Sequence, residues 1–217
     1  MYQAGWGKQE IAVEAKGYAM HGYGTWHNRA YGRHTPLFAR AIYLRDERGR
    51  ALVFCLLDLG YVTWAMRAGV VQRLRAQWGE SFDEAALVLT CTHTHSGPGG
   101  CTQDAFYNIV TPGFVPANLA AVVDAAVAAI TAAHNSAAPT EVGLAEDRFA
   151  EQVPVAWNRS LHAYNLNPDV TPRRENETHL ALNRAMQVLS LRRDGQLHAL
   201  LSLFGVHATC IGNTAQQ

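Results

Sequence analysis

The order of apolar and polar positions divides the chain into short strands and two longer helices. Residues 51–59 are nearly all apolar, which is typical of a central strand buried on both faces. Residues 64–79 and 116–135 instead repeat apolar side chains with helical spacing. A final hairpin is expected to turn at Asp194 and Gly195. Further strands are predicted over residues 8–14, 37–45, 85–93 and 140–149.

Strands interleaved with two helices predict an α/β fold in which a mixed β-sheet is flanked by helices. The chain has 217 residues, enough to bury a substantial core, and we expect one domain over residues 1–217. Two segments follow neither period. Residues 21–36 are rich in glycine, aromatic side chains and histidine, and residues 153–179 in asparagine, proline and arginine. Both are predicted to be ordered loops, and long ordered loops often carry function.

Composition and charge narrow the class of protein. The chain balances 18 basic against 18 acidic residues and has no basic stripe, so we expect no nucleic-acid partner. No apolar stretch reaches about 18 residues and no signal peptide begins the chain, so we expect no transmembrane segment. The sequence does not determine the cellular compartment. The chain as given is expected to be cytoplasmic, whereas a longer protein that contains it could be secreted or periplasmic. Cys55, Cys91, Cys101 and Cys210 lack CxxC spacing and are predicted to be buried free thiols.

Two histidines stand where a predicted strand gives way to a glycine-rich turn, in the sequence THTHSGPGG. Because side chains alternate along an extended strand, we expect Cys91, His93 and His95 on one face. Ligands bind at the carboxyl ends of strands in α/β sheets. Two such imidazoles can share one metal ion, or one can bind metal while the other contacts substrate. The spacing alone also fits two histidines that only hold a loop in place.

A second apolar strand also runs into a histidine, His207, in the sequence LFGVHATC. Two predicted strands are thus followed by histidines at their carboxyl ends. This suits zinc, which favours nitrogen and sulfur ligands and keeps one position open in catalytic sites. A structural zinc site with Cys91 or Cys210 stays open as an alternative, although its spacing is unlike that of zinc fingers.

Two further residue positions have two interpretations each. Asp58, at the end of a buried strand, either orients a histidine or caps the next helix. Arg159, in the sequence WNRSLHAY, either binds a carbonyl or anion, or is solvated or salt-bridged. Of His21, His27 and His34 in the glycine-rich loop, we expect at most one or two to touch a site.

Several motifs, in chain order, together resemble the neutral, non-lysosomal ceramidases. THTHSGPGG is similar to the signature of that family. MHGYGTWHNRAYGRHTPLFARA is similar to its early glycine-aromatic segment, NRSLHAYNLNP to its NRS…NP loop, and LFGVHATCIGNT to its VH-x-T strand end. GWGKQEI is similar to its first strand. The resemblance extends over essentially the whole chain, so residues 1–217 are identified as the N-terminal portion of a ceramidase-like catalytic domain.

The resemblance implies a zinc-dependent amidohydrolase that cleaves the N-acyl amide bond of ceramide or a related N-acyl lipid. The products would be a sphingoid base and a fatty acid. His93 and His207 match the family's zinc histidines, and His95 and Arg159 match residues of its catalytic centre. His34 matches a histidine near the site, as a substrate-binding position. The implied cofactor is Zn²⁺, and the implied partner is a ceramide-like lipid amide, reached by peripheral membrane contact.

The chain departs from the family pattern after His207. The family's remaining zinc ligands, a glutamate and a tyrosine, lie well beyond the second histidine, as does a DNKG segment with a catalytic-site serine. This chain stops at Gln217. We therefore expect a missing C-terminal part as partner and a chain that is inactive or poorly active alone, since stable zinc sites take three or four protein ligands. Two alternatives stay open: a non-catalytic lipid- or partner-binding module, and a zinc hydrolase of another amide or ester.

Overall fold

Seven β-strands, two long helices and one short helix make up the fold in the computed structural model, which describes residues 1–14, 17–111 and 113–215. The strands are β1 (Tyr2–Glu10), β2 (Phe38–Arg45), β3 (Ala51–Leu57), β4 (Leu87–Cys91), β5 (Ala138–Arg148), β6 (Ala185–Arg193) and β7 (Gln196–Leu203). The helices are α1 (Trp64–Trp78), α2 (Pro116–Asn135) and α3 (Leu161–Asn165).

Hydrogen bonds join the strands in the order β4-β3-β2-β1-β5-β6-β7. The β3–β4 pair is parallel, whereas the other pairs are antiparallel. Helices α1 and α2 pack against each other, and α2 packs against β1 and β2. The predicted α/β fold with a mixed sheet and packed helices is therefore confirmed.

The chain divides into two compact units. The first contains residues 1–140 together with the stretch that starts at Ala208, and the second contains residues 141–207. Strands β1 to β4 and helices α1 and α2 belong to the first unit, and β6, β7 and α3 belong to the second. Strand β5 begins in the first unit, where it pairs with β1, and continues into the second, where it pairs with β6. The expectation of one domain over the whole chain stays a prediction.

The core of the first unit lies between its strands and the layer formed by α1 and α2. Strand β3 is central, but it is buried on one face only: Val53, Cys55 and Leu57 are buried, whereas Leu52 is 40% exposed. The prediction of burial on both faces was therefore wrong, because the two helices cover the face that carries Val53, Cys55 and Leu57.

Both long helices lie where the sequence predicts them. The hydroxyl of Thr63 accepts a hydrogen bond from the backbone N–H of Met66, which caps the start of α1, and Gly79 ends that helix at φ 57°. Helix α2 starts at Pro116, whose missing N–H costs nothing in the first turn. By length and composition α2 could cross a membrane. Its apolar side packs against β1, β2 and α1, which accounts for its composition as that of a core helix.

Two glycines let α2 lie directly on β1. A Cβ added to Gly5 would lie 2.1 Å from the carbonyl oxygen of Ala133, and one added to Gly7 would lie 2.1 Å from that of Ala129. The alternation pattern placed the first strand at residues 8–14, too late in the chain, whereas the family motif GWGKQEI already reached back to Gly5. That prediction was wrong because glycine lowers strand propensity, whereas here the packing of a helix on the strand requires it.

The second unit contains the hairpin and the long loop that the sequence predicts. Asp194 and Gly195 have φ angles of 50° and 75°, the left-handed pair that a tight hairpin turn needs. The loop over residues 153–179 is ordered and contains the single-turn helix α3. It differs from the prediction in that short helix and in a 3₁₀ turn at Glu175–Glu177.

A buried arginine that the sequence did not reveal stabilises this unit. Arg184 is 5% exposed, and its guanidinium donates hydrogen bonds to the carbonyl oxygens of Phe149 at 3.0 Å and His179 at 2.9 Å. The same side chain donates to the carbonyl oxygens of Ala150 and Val153. Because every bond ends on a backbone oxygen, Arg184 fixes the path of two loops independently of their side chains.

We expect Gly7→Ala to lower the free energy of unfolding by about 2 kcal/mol or more, because the added methyl group meets backbone atoms of α2 that cannot rotate away. Gly205→Ala is the matched control, since a Cβ there has no neighbour within 4 Å. Its effect should stay within about 0.5 kcal/mol. Urea unfolding measures both, and equal stabilities of the two variants would contradict the close packing of α2 on β1.

Candidate functional site

The parallel pairing of β3 and β4 carries both strand ends to one edge of the sheet. Leu57 lies opposite Cys91 in this pair, so the residues that follow the two strands leave the sheet together. Gly60 follows β3, and His93 and His95 follow β4. This edge is where ligands bind in α/β sheets, and it holds the histidine motif found in the sequence.

Asp58 ties the end of β3 to β2. Its carboxylate accepts a hydrogen bond from the backbone N–H of Phe38 at 2.9 Å and another from the guanidinium of Arg40 at 2.7 Å. The interpretation of Asp58 as a helix cap is wrong, because Thr63 caps α1. The partners of its carboxylate are groups of β2, so Asp58 supports the strand end that precedes Gly60.

His93 adopts a left-handed backbone, with φ 57°. Such a conformation costs a residue other than glycine roughly 1–2 kcal/mol. Strand β4 ends at Cys91, so the alternation that placed Cys91, His93 and His95 on one face does not reach the histidines, and that argument was wrong. The turn itself brings the two imidazoles together, with ring centroids 4.8 Å apart.

The hydrogen bonds of His93 fix its tautomer. Its Nδ1 lies 2.6 Å from the carbonyl oxygen of Gly60. Because a carbonyl oxygen only accepts, Nδ1 carries the proton and Nε2 keeps its lone pair. That Nε2 lies 3.3 Å from Nε2 of His95. Both histidines belong to a histidine group, among the described residues, that could hold a metal ion.

Two glycines make room for the imidazoles. A Cβ on Gly22, which has φ 112°, would lie 2.4 Å from Nδ1 of His95. A Cβ on Gly60 would lie 2.2 Å from Cδ2 of His21. The glycine-rich composition of these loops is therefore a packing requirement of the histidines as well as a property of the turns.

His21 is a site residue to which the sequence assigned no role. Burial, with the neighbouring charges that His95 and His93 could carry, lowers the pKa of His21 from 6.5 to about 4. Its ring packs edge-on against Tyr61, with centroids 4.0 Å apart. The sequence signal for His21 was its position at the start of the glycine-aromatic loop. That signal could not separate His21 from His27 and His34, because all three are histidines of the same loop.

His34 lies on the wall of a cavity in the first unit. The cavity has a volume of about 460 Å³, and Thr94 and Ser96, on either side of His95, line the same cavity. His34 is exposed, whereas His95 is 6% exposed. The remaining wall is mostly apolar, with Ile11, Val13, Met20, Ala30, Leu37, Pro98 and Ile211. A ligand with a polar group and an apolar chain fits this lining.

The end of the chain returns to the first unit beside His95. The hydroxyl of Tyr23 donates a hydrogen bond to the carbonyl oxygen of Ile211. The ring of Tyr23 packs edge-on against His95, with centroids 5.0 Å apart. Ala208 is the first residue of this returning stretch. Tyr23 therefore links the chain end to the histidine pair.

His207 and Arg159 belong to the second unit. His207 is exposed and is the last residue of that unit, directly before Ala208. Arg159 is exposed and immediately precedes the N-cap of α3. The side chain of Asn158 donates to the carbonyl oxygen of Ala181 at 2.8 Å and accepts from the N–H of Ser160 at 2.7 Å. The backbone on both sides of Arg159 is thus fixed while its guanidinium stays accessible.

The cysteines are free thiols, as predicted, but burial is confirmed only for Cys55 and Cys101. Burial raises the pKa of Cys55 and of Cys101 to about 12, so both stay protonated. Cys91 packs against the hydrophobic core, and Cys210 is exposed. In the part of the chain that the structure describes, the group that could hold a metal contains no cysteine, which argues against a structural zinc–sulfur site.

The fold and the histidine pair together define an α/β protein with a candidate metal centre at its strand ends. The family model described as neutral/alkaline non-lysosomal ceramidase, N-terminal, matches residues 2–217. The chain belongs to this family, and the resemblance inferred from its motifs is confirmed.

Curated relatives and a solved structure agree with this assignment. The chain is similar to the neutral ceramidase of Pseudomonas aeruginosa, with 34% identity over 216 residues, 98% of this chain and 31% of that protein. It is similar to the neutral ceramidase of Mycobacterium tuberculosis, with 36% identity over 171 residues, 77% of this chain and 26% of that protein. The crystal structure of the Pseudomonas aeruginosa enzyme matches with a TM-score of 0.90 and 33% identity, over 99% of this chain and 33% of that one. This chain spans less than a third of the length of these curated relatives.

The pKa of His21 predicts a pH dependence of folding. Between pH 6.5 and about 4 the unfolded chain takes up a proton that the folded chain excludes, so the free energy of unfolding should fall as the pH falls through this range. His21→Asn should flatten that dependence. Urea unfolding in the presence of a chelator measures the slope, with the exposed His198 changed to Asn as control. The same slope in wild type and His21→Asn would contradict the low pKa.

Proposed function

We propose that the protein carrying this chain is a zinc-dependent amidohydrolase that cleaves the N-acyl amide bond of ceramide or a related N-acyl lipid, giving a sphingoid base and a fatty acid. The observation that carries the proposal is the hydrogen bond from Nδ1 of His93 to the carbonyl oxygen of Gly60. It leaves Nε2 as a ligand atom, which is the usual way in which a protein orients a metal-binding histidine. Membership of the ceramidase family supports the substrate class.

His93 and His207 are the proposed zinc ligands. Nε2 of His93 is available in the tautomer that Gly60 selects. His207 is joined covalently to Ala208, where the chain returns to the first unit and reaches Tyr23 through Ile211. Bound zinc would lower the pKa of a coordinated water to about 7 and polarise the substrate carbonyl. The left-handed backbone of His93 is the kind of local strain that accumulates at functional sites.

His95 is the proposed proton carrier. Its Nε2 lies 3.3 Å from Nε2 of His93, so it stands beside the ligand atom without needing to bind the metal itself. If Nε2 of His93 bound zinc, it would no longer accept a hydrogen bond from His95. A neutral His95 with its proton on Nδ1 could then take a proton at Nε2 from the attacking water and deliver it to the leaving amine nitrogen. The packing of Tyr23 and the close approach of Gly22 restrict the rotation of the His95 ring, which keeps Nε2 in place.

Arg159 and His34 are proposed to position the substrate. The guanidinium of Arg159 offers several N–H donors that can hold the carbonyl oxygen as negative charge develops on it. His34 lines the cavity that Thr94 and Ser96 share, where its ring can contact the polar end of an amide substrate. The apolar remainder of that cavity suits the hydrocarbon part of an N-acyl lipid.

Zinc content tests the proposed ligands. We expect close to one zinc per intact protein that carries this chain, and a loss of at least about tenfold in zinc affinity for His93→Ala and for His207→Ala. His198→Ala is the matched control, because His198 is an exposed histidine of β7 outside the proposed site. Metal analysis after dialysis against a weak chelator measures the content. Unchanged zinc in both site variants would exclude these ligands.

Turnover tests the proton carrier separately from the metal. His95→Gln should retain zinc but lower kcat on an N-acyl sphingosine by about a hundredfold or more, since a positioned acid–base group contributes on that order. If His95→Gln retained both zinc and full turnover, His95 would have no role in the mechanism.

Turnover of a panel of other amides and esters by the same protein determines the substrate class. Lipid binding without turnover in the wild type would instead favour a non-catalytic lipid-binding module.

A further inference from the structure

The glycine that faces His93 is not required by its own backbone conformation. Gly60 lies outside the left-handed region, unlike Gly22, which has φ 112°. A Cβ at position 60 would instead meet Cδ2 of His21 at 2.2 Å and the carbonyl oxygen of Thr94 at 3.1 Å. The close approach of the His21 ring is therefore what requires glycine there. The ring lies against the residue whose carbonyl oxygen accepts from Nδ1 of His93.

Backbone hydrogen bonds fix His21 to the turn that carries the histidine pair. The N–H of His21 donates to the carbonyl oxygen of Gly97 at 3.0 Å, and the N–H of Gly99 donates to the carbonyl oxygen of Ala19 at 2.9 Å. The two segments thus form a short antiparallel contact. Because the backbone of His21 is held by the turn after β4, its ring extends toward Gly60 from a fixed Cα.

Two tyrosines complete the contacts of the His21 ring. Tyr61, the residue directly after Gly60, packs edge-on against it with centroids 4.0 Å apart. Tyr107 lies 6.0 Å from the same ring and stacks on Tyr61 with centroids 5.6 Å apart. We call His21, Tyr61 and Tyr107 the ring cluster. The ring of His21 therefore contacts both residues that the Gly60–Tyr61 peptide bond joins.

The peptide between Gly60 and Tyr61 carries the carbonyl oxygen that faces His93. Glycine populates more backbone conformations than other residues, so this peptide plane would rotate readily without contacts from outside. Rotation would remove the oxygen from its position 2.6 Å from Nδ1 of His93, and either ring nitrogen could then carry the proton. A ring packed on Gly60 and on Tyr61 opposes that rotation. All of these contacts lie within the first unit.

We propose that His21 is a positioning residue: together with Tyr61 it holds the Gly60–Tyr61 peptide in the orientation whose carbonyl oxygen accepts the Nδ1 proton of His93. In this role His21 acts through Gly60 and not on a substrate. The tautomer of His93 in the metal-free protein is then a property of the ring cluster. The consequence for zinc rests on the proposed function, since it takes Nε2 of His93 as a ligand atom.

Imidazole ¹⁵N NMR of the intact, zinc-free protein that carries this chain measures the His93 tautomer, at a pH well above the ordinary histidine pKa of about 6.5. The signals of His93 are those missing from His93→Gln. We expect the proton on Nδ1 in the wild type and in Tyr61→Phe, which keeps the ring cluster. His21→Ala and Tyr61→Leu should lower the ratio of the Nδ1–H to the Nε2–H form by about threefold to tenfold, the range that one hydrogen bond contributes.

Gly7→Ala is the control for a general loss of stability, because it disturbs the packing of α2 on β1 and leaves the ring cluster intact. It should unfold at a lower temperature and keep the His93 tautomer of the wild type. An unchanged tautomer in folded His21→Ala and Tyr61→Leu would overturn the proposal, and so would an equal shift in Gly7→Ala. A wild type whose His93 carries its proton on Nε2 would overturn it as well.

Zinc affinity of the same variants separates this proposal from the proposed function. His21→Ala should bind zinc about tenfold to a hundredfold more weakly than the wild type, as expected when a group that orients a metal ligand is lost. Tyr61→Phe should bind within about twofold of the wild type. A tautomer shift in a protein whose wild type binds no zinc would refute the proposed function and leave the positioning role. Zinc binding that His93→Ala abolishes, with no tautomer shift in His21→Ala, would do the reverse.

Discussion

The parallel pairing of β3 with β4 is the constraint on which the site depends. Two strands can run parallel only if a crossover connects them, and here α1 is that crossover. The core packing of α1 therefore decides how the ends of the two strands meet. Because Gly60 follows one strand and His93 the other, the packing of α1 helps to set the distance between the carbonyl oxygen of Gly60 and the imidazole of His93.

The site combines close packing with a buried histidine, His21, whose pKa is lowered. His21 is held neutral by burial and by its histidine neighbours, and the tautomer of His93 is fixed by a backbone carbonyl. Gly22 and Gly60 allow these rings to approach without intervening side chains. A metal cation requires ligand nitrogens whose lone pairs have defined directions, and the contact with the carbonyl oxygen of Gly60 gives the ring of His93 such a direction.

The sequence revealed what depends on local patterns and missed what depends on contacts distant in the chain. The extent of α2 and the Asp194–Gly195 turn follow from periodicity and from residues with special backbone preferences, so they were predicted correctly. The strand alternation failed at His93, because a left-handed residue interrupts it and no local signal marks such a residue. The burial of Arg184 was missed for a similar reason: its partners are backbone oxygens, which every residue has. The site residues came mainly from motifs, since spacing alone left their roles open.

The first unit is made of two separate stretches of chain, with the second unit inserted between them. An unfolded insertion of more than sixty residues would cost the first unit roughly 4 kcal/mol of loop-closure entropy before its last stretch could dock. A second unit that is already folded lowers that entropy cost, because its residues are no longer a flexible loop. The guanidinium of Arg184 stabilises the loops of the inserted unit and so favours a folded insertion over an unfolded one. It helps determine how readily the stretch after His207 finds Tyr23, and so how cooperatively the two units of the chain fold.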